Sequence, residues 1–311
     1  MSGASAEFPR PRRPRQADRA TPVRQRTMSS VGVVIVGIVP ALLGGPIWPA
    51  VLTALVLIGA HEYHALARRI EPTVRPFILL VLPGFALASA LEGGAQALLG
   101  VVTLAVGLPM TETVFRRDLT GAFAAWALST AGTLYLAVPL FAATALRQLD
   151  GSIEASWLSR LSDRLAFGWD PNPRGLAWLL LVIVVTWIGD SGAYLVGRSF
   201  GRRPLIPFVS PKKTVEGFLG GLVCATLTGA IATSVFGLGF SWLLGLVLGL
   251  LIGLVAVAGD LAESVLKRQA GVKDSGTLIP GHGGMLDRLD ALLFTWTAGW
   301  YLASLVDRIV R

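Results

Sequence analysis

Residues 259–290 read GDLAESVLKRQAGVKDSGTLIPGHGGMLDRLD and stand between two apolar runs. The whole chain is only 15% charged, whereas soluble domains are usually about one-quarter charged. Ten charged or titratable side chains nevertheless fall within this one stretch. Such a concentration of charge in an apolar chain predicts that the chemistry of the protein is located here. The apolar runs on either side indicate whether that chemistry takes place in water or at a membrane.

The rest of the chain has the composition of a membrane protein. Its 311 residues are 53% hydrophobic, with a mean hydropathy of +0.64. The apolar runs approach the roughly 20 residues that a helix needs to cross a membrane, and they are continuous rather than alternating, which disfavours a β-barrel. We predict an all-α polytopic membrane protein with about nine transmembrane helices. The predicted spans are 31–45, 47–60, 76–91, 95–110, 121–146, 175–197, 217–236, 240–259 and 289–306.

Basic residues predict the orientation of these spans. The first 27 residues hold seven arginines and two acids, and so contribute +5 to the net charge of +8. A basic tail beside a first span is typical of orientation and of attraction to anionic lipid, so the expected partner is the bilayer and not nucleic acid. With the tail in the cytoplasm, the basic loops also lie inside. They are 61–75, 111–120, 198–216 and 260–288.

These features divide the chain into four parts. A basic cytoplasmic tail, predicted to be disordered, covers 1–28. Five spans cover 29–146, and an extracytoplasmic loop with an interfacial helix covers 147–174. Four further spans form a catalytic region at 175–311.

Glycines recur every four residues in one predicted span of this region. Gly245, Gly249 and Gly253 therefore share one helix face, which favours close helix packing. The pattern fits a contact within one chain and a contact in a homodimer equally well.

Four carboxylates at two helix ends are candidate ligands of a cation. Asp260 and Glu263 are three residues apart at the end of one span and share a helix face. Asp287 and Asp290 repeat this spacing at the start of the next span. Oxygen ligands suit Mg²⁺ or another hard cation, and the single cysteine excludes a zinc site built from cysteines. The alternative is ion pairing with neighbouring basic side chains.

The loop between these two helix ends favours the cation. Gly281, Gly283 and Gly284 surround His282, and glycines allow backbone amides to approach an anion. His282 could contact phosphate, transfer a proton or only form a turn, and we prefer phosphate contact. Cations beside carboxylates and an amide-rich loop are the components of metal-assisted phosphoryl or nucleotidyl transfer. The surrounding cations are Lys267, Arg268, Lys273 and Arg288.

A second polar group precedes this stretch. Asp190 lies within an apolar run, where an acid is a functional candidate by default; the alternative is an ion pair with Arg198. Ser210 and Pro211 suit a helix N-terminus that attracts anions. The alternative is ordinary positive-inside charge. The residues that follow supply two cations and a hydroxyl group for phosphate, and they are Lys212, Lys213 and Thr214.

A third candidate is the segment His61-Glu62-Tyr63-His64 at an inner span end. The two histidines are three residues apart and could chelate a metal. An interfacial belt of His and Tyr is the preferred interpretation. Glu62 is then an acid that could face the site.

Residues 264–290 resemble the signature of the phosphatidate cytidylyltransferases, the CDP-diacylglycerol synthase family. The similarity runs over 27 positions without a gap. Residues 190–194 and 210–217 are also similar to segments of that family, although Val215 stands where the family often has an aromatic residue. The resemblance covers residues 175–311. The matched run is Ser264-x-Leu266-Lys267-Arg268-x4-Lys273-Asp274-x-Gly276-x2-Ile279-Pro280-x-His282-Gly283-Gly284-Met285-x-Asp287-Arg288-Leu289-Asp290.

The resemblance implies a nucleotidyltransferase of phospholipid biosynthesis in the cell (inner) membrane. Phosphatidic acid and CTP would give CDP-diacylglycerol and pyrophosphate, with Mg²⁺ and a second cation such as K⁺. The implied metal ligands are Asp260 and Asp287, supported by Glu263 and Asp290. The implied catalytic residues are Asp260, Asp287, Lys267, His282 and Asp190. The implied phosphate-binding residues are Ser210, Lys212, Lys213, Thr214, Arg268, Lys273, Gly283, Gly284 and Arg288.

A transporter or scramblase of an anionic lipid or metabolite is the alternative from another functional class. Acids near the inner face and glycine-interrupted spans fit such a protein. It would also have two related halves with paired half-helices, and the sequence has no such repeat. A CDP-alcohol phosphotransferase is disfavoured because the sequence has no DGxxAR run.

Overall fold

The computed structural model describes residues 32, 35–92, 95–278 and 283–310, and helices make up most of them. The predicted basic tail at 1–28 lies outside these residues. A short helix, α1, covers 35–43. The remaining helices are α2 (Ile47–Ile70), α3 (Phe77–Glu92), α4 (Ala95–Val114), α5 (Ala122–Arg147), α6 (Ser156–Leu165), α7 (Pro173–Phe200), α8 (Val215–Val235), α9 (Trp242–Gln269) and α10 (Leu286–Val310). The one sheet in this part of the chain is an antiparallel hairpin of β1 (Pro204–Ile206) and β2 (Ser210–Thr214).

Seven of the described helices are long and apolar enough to cross a membrane. They are α2, α4, α5, α7, α8, α9 and α10. The prediction of a polytopic, helical membrane protein is therefore confirmed. Helix α3 coincides with the predicted span at 76–91 but has only 16 residues, and α1 lies inside the predicted span at 31–45. Nine crossings and their orientation stay predictions.

Helix α5 occupies the centre of the bundle and packs against α2, α3, α4, α7 and α10. It is apolar around most of its circumference, and most of its second half is buried, whereas residues such as Phe123 in its first half are exposed. Two polar side chains of α2 donate hydrogen bonds to backbone carbonyls of α5. The Trp48 indole donates to the Ala143 carbonyl at 3.1 Å, and the Tyr63 hydroxyl donates to the Leu128 carbonyl at 2.9 Å. These hydrogen bonds fix α2 against the centre of the bundle.

A buried arginine joins the helices at the opposite end from residues 259–290. Arg147 ends α5, and its Nε donates to the Ala41 carbonyl at 2.8 Å. A second nitrogen of Arg147 donates to the Pro171 carbonyl at 3.1 Å, just before α7. Carbonyl acceptors satisfy a guanidinium group that would otherwise be expensive to bury. Arg147 therefore has a structural role, and the predicted loop 147–174, which contains α6, begins inside the protein.

Helices α8 and α9 approach closely through their glycines. A Cβ atom on Gly249 would lie 2.4 Å from the Ala225 carbonyl oxygen, and one on Gly245 would lie 2.7 Å from the Thr233 hydroxyl. Both neighbours belong to α8 of the same chain. The predicted close packing at these glycines is therefore confirmed as a contact within one chain.

We expect Gly249→Ala to lower the stability of the protein by about 1–3 kcal/mol, because its methyl group overlaps a backbone carbonyl that cannot turn away. Gly107→Ala in α4 is the matched control, since no heavy atom lies within 4 Å of the added Cβ. The control should be neutral or slightly stabilising, because alanine favours a helix over glycine by about 1 kcal/mol. Thermal unfolding in detergent measures both. Equal melting temperatures would contradict this account of the α8–α9 contact.

Candidate functional site

The end of α9 and the start of α10 meet at one end of the bundle, and a lysine joins them. Lys267 Nζ donates to Glu263 Oε2 and to Asp287 Oδ1, each at 2.6 Å. All three side chains are largely buried. The structure thus brings together two of the four predicted carboxylates and places a cation between them.

A second lysine reaches the same place from the β-hairpin. Lys213 on β2 forms an ion pair with Asp260 on α9. Asp190 on α7 and Asp290 on α10 both interact electrostatically with Asp260. The two polar groups that the sequence analysis treated separately therefore form one site, which we call the acid–lysine cluster. Its members are Asp190, Lys213, Asp260, Glu263, Lys267, Asp287 and Asp290.

Carboxylates outnumber cations in the acid–lysine cluster, where five acids face two lysines. Glu263 Oε1 is buried, and no hydrogen-bond partner for it exists within the described part of the chain. A buried carboxylate oxygen without a partner is unfavourable, and a hard cation that prefers oxygen ligands would relieve it. In the described residues no three His, Cys, Asp or Glu side chains are arranged to hold a metal as they stand, since lysines lie between the acids. The excess of acids and the unsatisfied oxygen fit a bound cation.

Asp287 also anchors the glycine-rich loop. Its Oδ2 accepts hydrogen bonds from the Ser275 amide, the Ser275 hydroxyl and the Gly284 amide, each at 2.8 Å. Gly283 has φ +83°, a conformation that favours glycine. His282 belongs to residues 279–282, outside the described part of the chain. Asp287 thus holds both ends of the loop and contacts Lys267 with its other oxygen.

Glu62 on α2 holds the same loop from the other side. Its Oε1 accepts the Met285 amide at 3.0 Å, and its Oε2 accepts the Leu286 amide at 2.8 Å. Its Oε2 also lies 3.1 Å from the Ser275 hydroxyl oxygen, whose one proton Glu62 and Asp287 share. Its carboxylate therefore caps the start of α10, where the helix dipole favours negative charge. The sequence indicated only that Glu62 could face the site. Its partner Ser275 lies 213 residues away, so no local pattern could reveal the contact.

Residues 210–214 form strand β2 and not the start of a helix. The prediction of a helix N-terminus at Ser210 and Pro211 is wrong, because this segment pairs with β1. Helix α8 begins at Val215, and the Thr214 hydroxyl caps it by accepting the Gly217 amide at 3.1 Å. The hairpin positions Lys213 for its contact with α9.

Three further predicted cations lie at the same end of the bundle. Arg268 is exposed, and its Nε donates to the Val209 carbonyl at 3.1 Å, which joins α9 to the hairpin. Lys212 and Lys273 are exposed on the hairpin and on the loop after α9. These side chains add positive charge to the segments that flank the acid–lysine cluster.

The structure also shows the environment of two other features that the sequence analysis considered, the Asp190–Arg198 ion pair and the two histidines. Arg198, considered as a partner for Asp190, donates to the Tyr194 hydroxyl at 3.0 Å instead. The segment with the two histidines is helical, because α2 continues to Ile70. His61 is exposed and His64 is half-buried on this helix.

Tyr135 is a site residue that the sequence analysis missed. It lies on α5, and its buried hydroxyl interacts electrostatically with Glu263 and Asp290. Its ring packs against Phe294 of α10, with 5.9 Å between ring centroids. A single tyrosine in an apolar run carries no signal of its own, so only the fold shows its proximity to the acids.

The fold and the cluster define a multi-pass membrane protein with a polar site at one end of its helix bundle. Residues 24–306 match the Cytidylyltransferase family, so the chain belongs to this family. The phosphatidate cytidylyltransferase of Mycobacterium bovis is 31% identical over 292 residues, which cover 89% of this chain and 86% of that protein. The Bacillus subtilis protein of the same name is 46% identical over 131 residues, covering 42% of this chain and 49% of that protein. Membership of this family favours an enzyme over a transporter or scramblase.

We expect Glu62→Gln to loosen the loop and the start of α10, because an amide nitrogen cannot accept the hydrogen bonds that one carboxylate oxygen receives. The loss should be about 1.5–3 kcal/mol, the usual range for hydrogen bonds to a charged group. Hydrogen exchange at Met285 and Leu286, with thermal unfolding, measures the effect. Glu71→Gln is the matched control, since within the described residues the Glu71 side chain accepts hydrogen bonds only from Thr73, two residues along the chain. Unchanged exchange in Glu62→Gln would contradict the capping role.

Proposed function

We propose that this protein is a phosphatidate cytidylyltransferase. It transfers CMP from CTP to phosphatidic acid and so makes CDP-diacylglycerol and pyrophosphate for phospholipid synthesis. Family membership and the names of the relatives support this reaction. The observation that carries the proposal is the contact of Lys267 with Glu263 and Asp287, which joins α9 to α10 at the two ends of the 264–290 run.

The reaction requires two anions to meet. A phosphate oxygen of phosphatidic acid attacks the α-phosphorus of CTP, the bond from that phosphorus to the bridging oxygen breaks, and pyrophosphate leaves. The attacking oxygen is already negatively charged at neutral pH, so the reaction needs little help from a general base. Positioning and neutralisation of charge should therefore provide most of the acceleration.

The basic side chains of the site are suited to this neutralisation. Lys213 and Lys267 are held at fixed positions by carboxylates, while Lys212 and Lys273 are exposed and can reach an incoming triphosphate. The Thr214 hydroxyl accepts one amide and retains a proton to donate to a phosphate oxygen. We assign phosphate contacts to these residues and to the others that the resemblance implied. The others are Ser210, Arg268, Gly283, Arg288 and His282, with Gly284 beside them, whose own amide donates to Asp287.

The excess of carboxylates supports a metal as part of the proposal. Asp260 and Asp287 would hold Mg²⁺, with Glu263 and Asp290 as supporting ligands and Asp190 nearby. When bound, the ion would offset the negative charge of the phosphates and stabilise the charge that develops in transfer. A second cation such as K⁺ belongs to the same proposal.

We also place the site at the cytoplasmic face of the cell (inner) membrane, with nine crossings and the N-terminus inside. The acid–lysine cluster lies at the same end of α7, α9 and α10 as the basic loops 198–216 and 260–288, and such loops favour the cytoplasm. CTP would arrive from the cytoplasm, and phosphatidic acid from the inner leaflet.

Asp260→Asn should lower turnover by at least about 100-fold, a typical loss when one electrostatic contact to a transition state is removed. The assay mixes detergent-purified protein with phosphatidic acid, Mg²⁺ and radiolabelled CTP, and it measures label that becomes lipid-soluble. Asp163→Asn, an exposed change on α6, is the matched control and should retain activity. Wild-type protein that forms no lipid-soluble label would contradict the proposed function.

Mg²⁺ should raise the melting temperature of EDTA-treated wild-type protein, because a ligand that binds only the folded state stabilises it. In Asp260→Asn this shift should be much smaller, while Asp163→Asn should keep it. Differential scanning fluorimetry across a Mg²⁺ titration provides the measurement without reference to activity. An undiminished melting-temperature shift in Asp260→Asn would contradict the assignment of Asp260 as a metal ligand. It would not contradict the proposed reaction.

A further inference from the structure

An apolar cavity of about 230 Å³ lies between α1, α2, α7 and α10. Its walls are apolar except for one charged side chain, Arg288. An apolar cavity of about 150 Å³ is already large enough to bind benzene. The cavity lies outside the acid–lysine cluster, and Arg288 is the lining residue that also has an assigned phosphate contact. Residues that represent its four walls are Gly37, Leu52, Trp187, Leu289, Leu292 and Trp296.

On α7 and α10, residues that line the cavity are close in sequence to residues of the acid–lysine cluster. Trp187 lies three residues before Asp190 on α7, and Leu289 directly precedes Asp290 on α10. Met285, whose amide is held by Glu62, also lines the cavity. The cavity and the cluster therefore share two helices and the end of the glycine-rich loop.

The cavity runs along one face of helix α10. Residues 285, 289, 292 and 296 recur at helical spacing, and all of them line the cavity. From Leu289 to Trp296 the helix rises roughly 10 Å. Trp296 contacts Trp48 edge to face, with 6.1 Å between ring centroids, and hydrogen bonding to α5 fixes Trp48. The cavity is thus an apolar recess that leads from the first turn of α10 towards the middle of the bundle.

We infer that this cavity binds one acyl chain of the phosphatidic acid substrate, with Arg288 at the level of the phosphate. The inference rests on the proposed function and extends it to the lipid. The guanidinium group of Arg288 suits a phosphate, and the recess beyond it has no other charged lining residue. A lipid in this position has its phosphate at Arg288, in the first turn of α10, and its chain between α2, α7 and α10. The length of the recess then contributes to selection among acyl chains.

Gly37→Leu fills the cavity with little strain. A Cβ on Gly37 would lie 3.6 Å from the Trp187 ring, which is an ordinary contact. Gly107→Leu adds the same side chain to α4, where no atom lies within 4 Å of the Cβ, and is the matched control. Both are assayed with dihexanoyl and dipalmitoyl phosphatidic acid in mixed micelles.

We expect Gly37→Leu to lower kcat/KM for the dipalmitoyl lipid at least about tenfold, which corresponds to roughly two displaced methylenes. The decrease should come from a higher KM and not from a lower kcat. The dihexanoyl lipid and CTP should be affected less than about twofold, which also shows that the variant is folded. Equal effects on the two lipids, or the same pattern in Gly107→Leu, would mean that the cavity holds only bulk lipid or detergent. That outcome would overturn the inference.

Fluorescence provides a second measurement that does not depend on turnover. Three tryptophans line the cavity, so phosphatidic acid with brominated chains should quench wild-type fluorescence more than that of Gly37→Leu. Equal quenching of both proteins, or equal quenching by brominated phosphatidylcholine, would overturn the inference. Wild-type protein without turnover of either lipid would overturn the proposed function, and the quenching comparison would still decide whether the cavity binds a lipid chain.

Discussion

The contact of Lys267 with Glu263 and Asp287 is the constraint on which the rest of the site depends. It joins two helix ends whose carboxylates would repel each other across a poorly solvated interface. Removal of one partner from a buried ion pair typically costs about 3–5 kcal/mol, because the remaining charge is left without compensation. The lysine therefore permits α9 and α10 to meet. Their meeting brings together the two ends of the glycine-rich loop between them, Ser275 and Gly284.

Two carboxylates then hold the described ends of that loop. Asp287 accepts amides near both of its ends, and Glu62 accepts the two amides that begin α10. Glu62 belongs to the first half of the chain, outside the 264–290 run, although the family match at residues 24–306 includes it. The N-terminal helices are thus part of the site's support as well as of its membrane anchor. A change in the position of α2 would move the start of α10.

Helix α10 has its acidic side chains on one face and its cavity-lining apolar side chains on another. Its acids interact with α7 and α9, while the side chains at 285, 289, 292 and 296 line the cavity beside α2 and α7. A period of 3.6 residues places these two sets on different faces of the same helix. A lipid substrate has the same division, with a phosphate at one end and acyl chains at the other. One helix can therefore contact both parts of such a ligand.

The sequence by itself determined the membrane class, most of the helices, the close packing of α8 and α9, and the residue types of the site. These properties follow from composition and short-range periodicity, which a single chain displays directly. The tertiary structure decided that residues 210–214 pair as a strand, that Lys213 contacts Asp260, and that Glu62 and Tyr135 belong to the site. The contacts of Lys213, Glu62 and Tyr135 depend on partners far apart in sequence, and no local pattern encodes which apolar helix lies beside which. The sequence therefore provided the chemical components of the site, and the packing of the helices decided which of them meet.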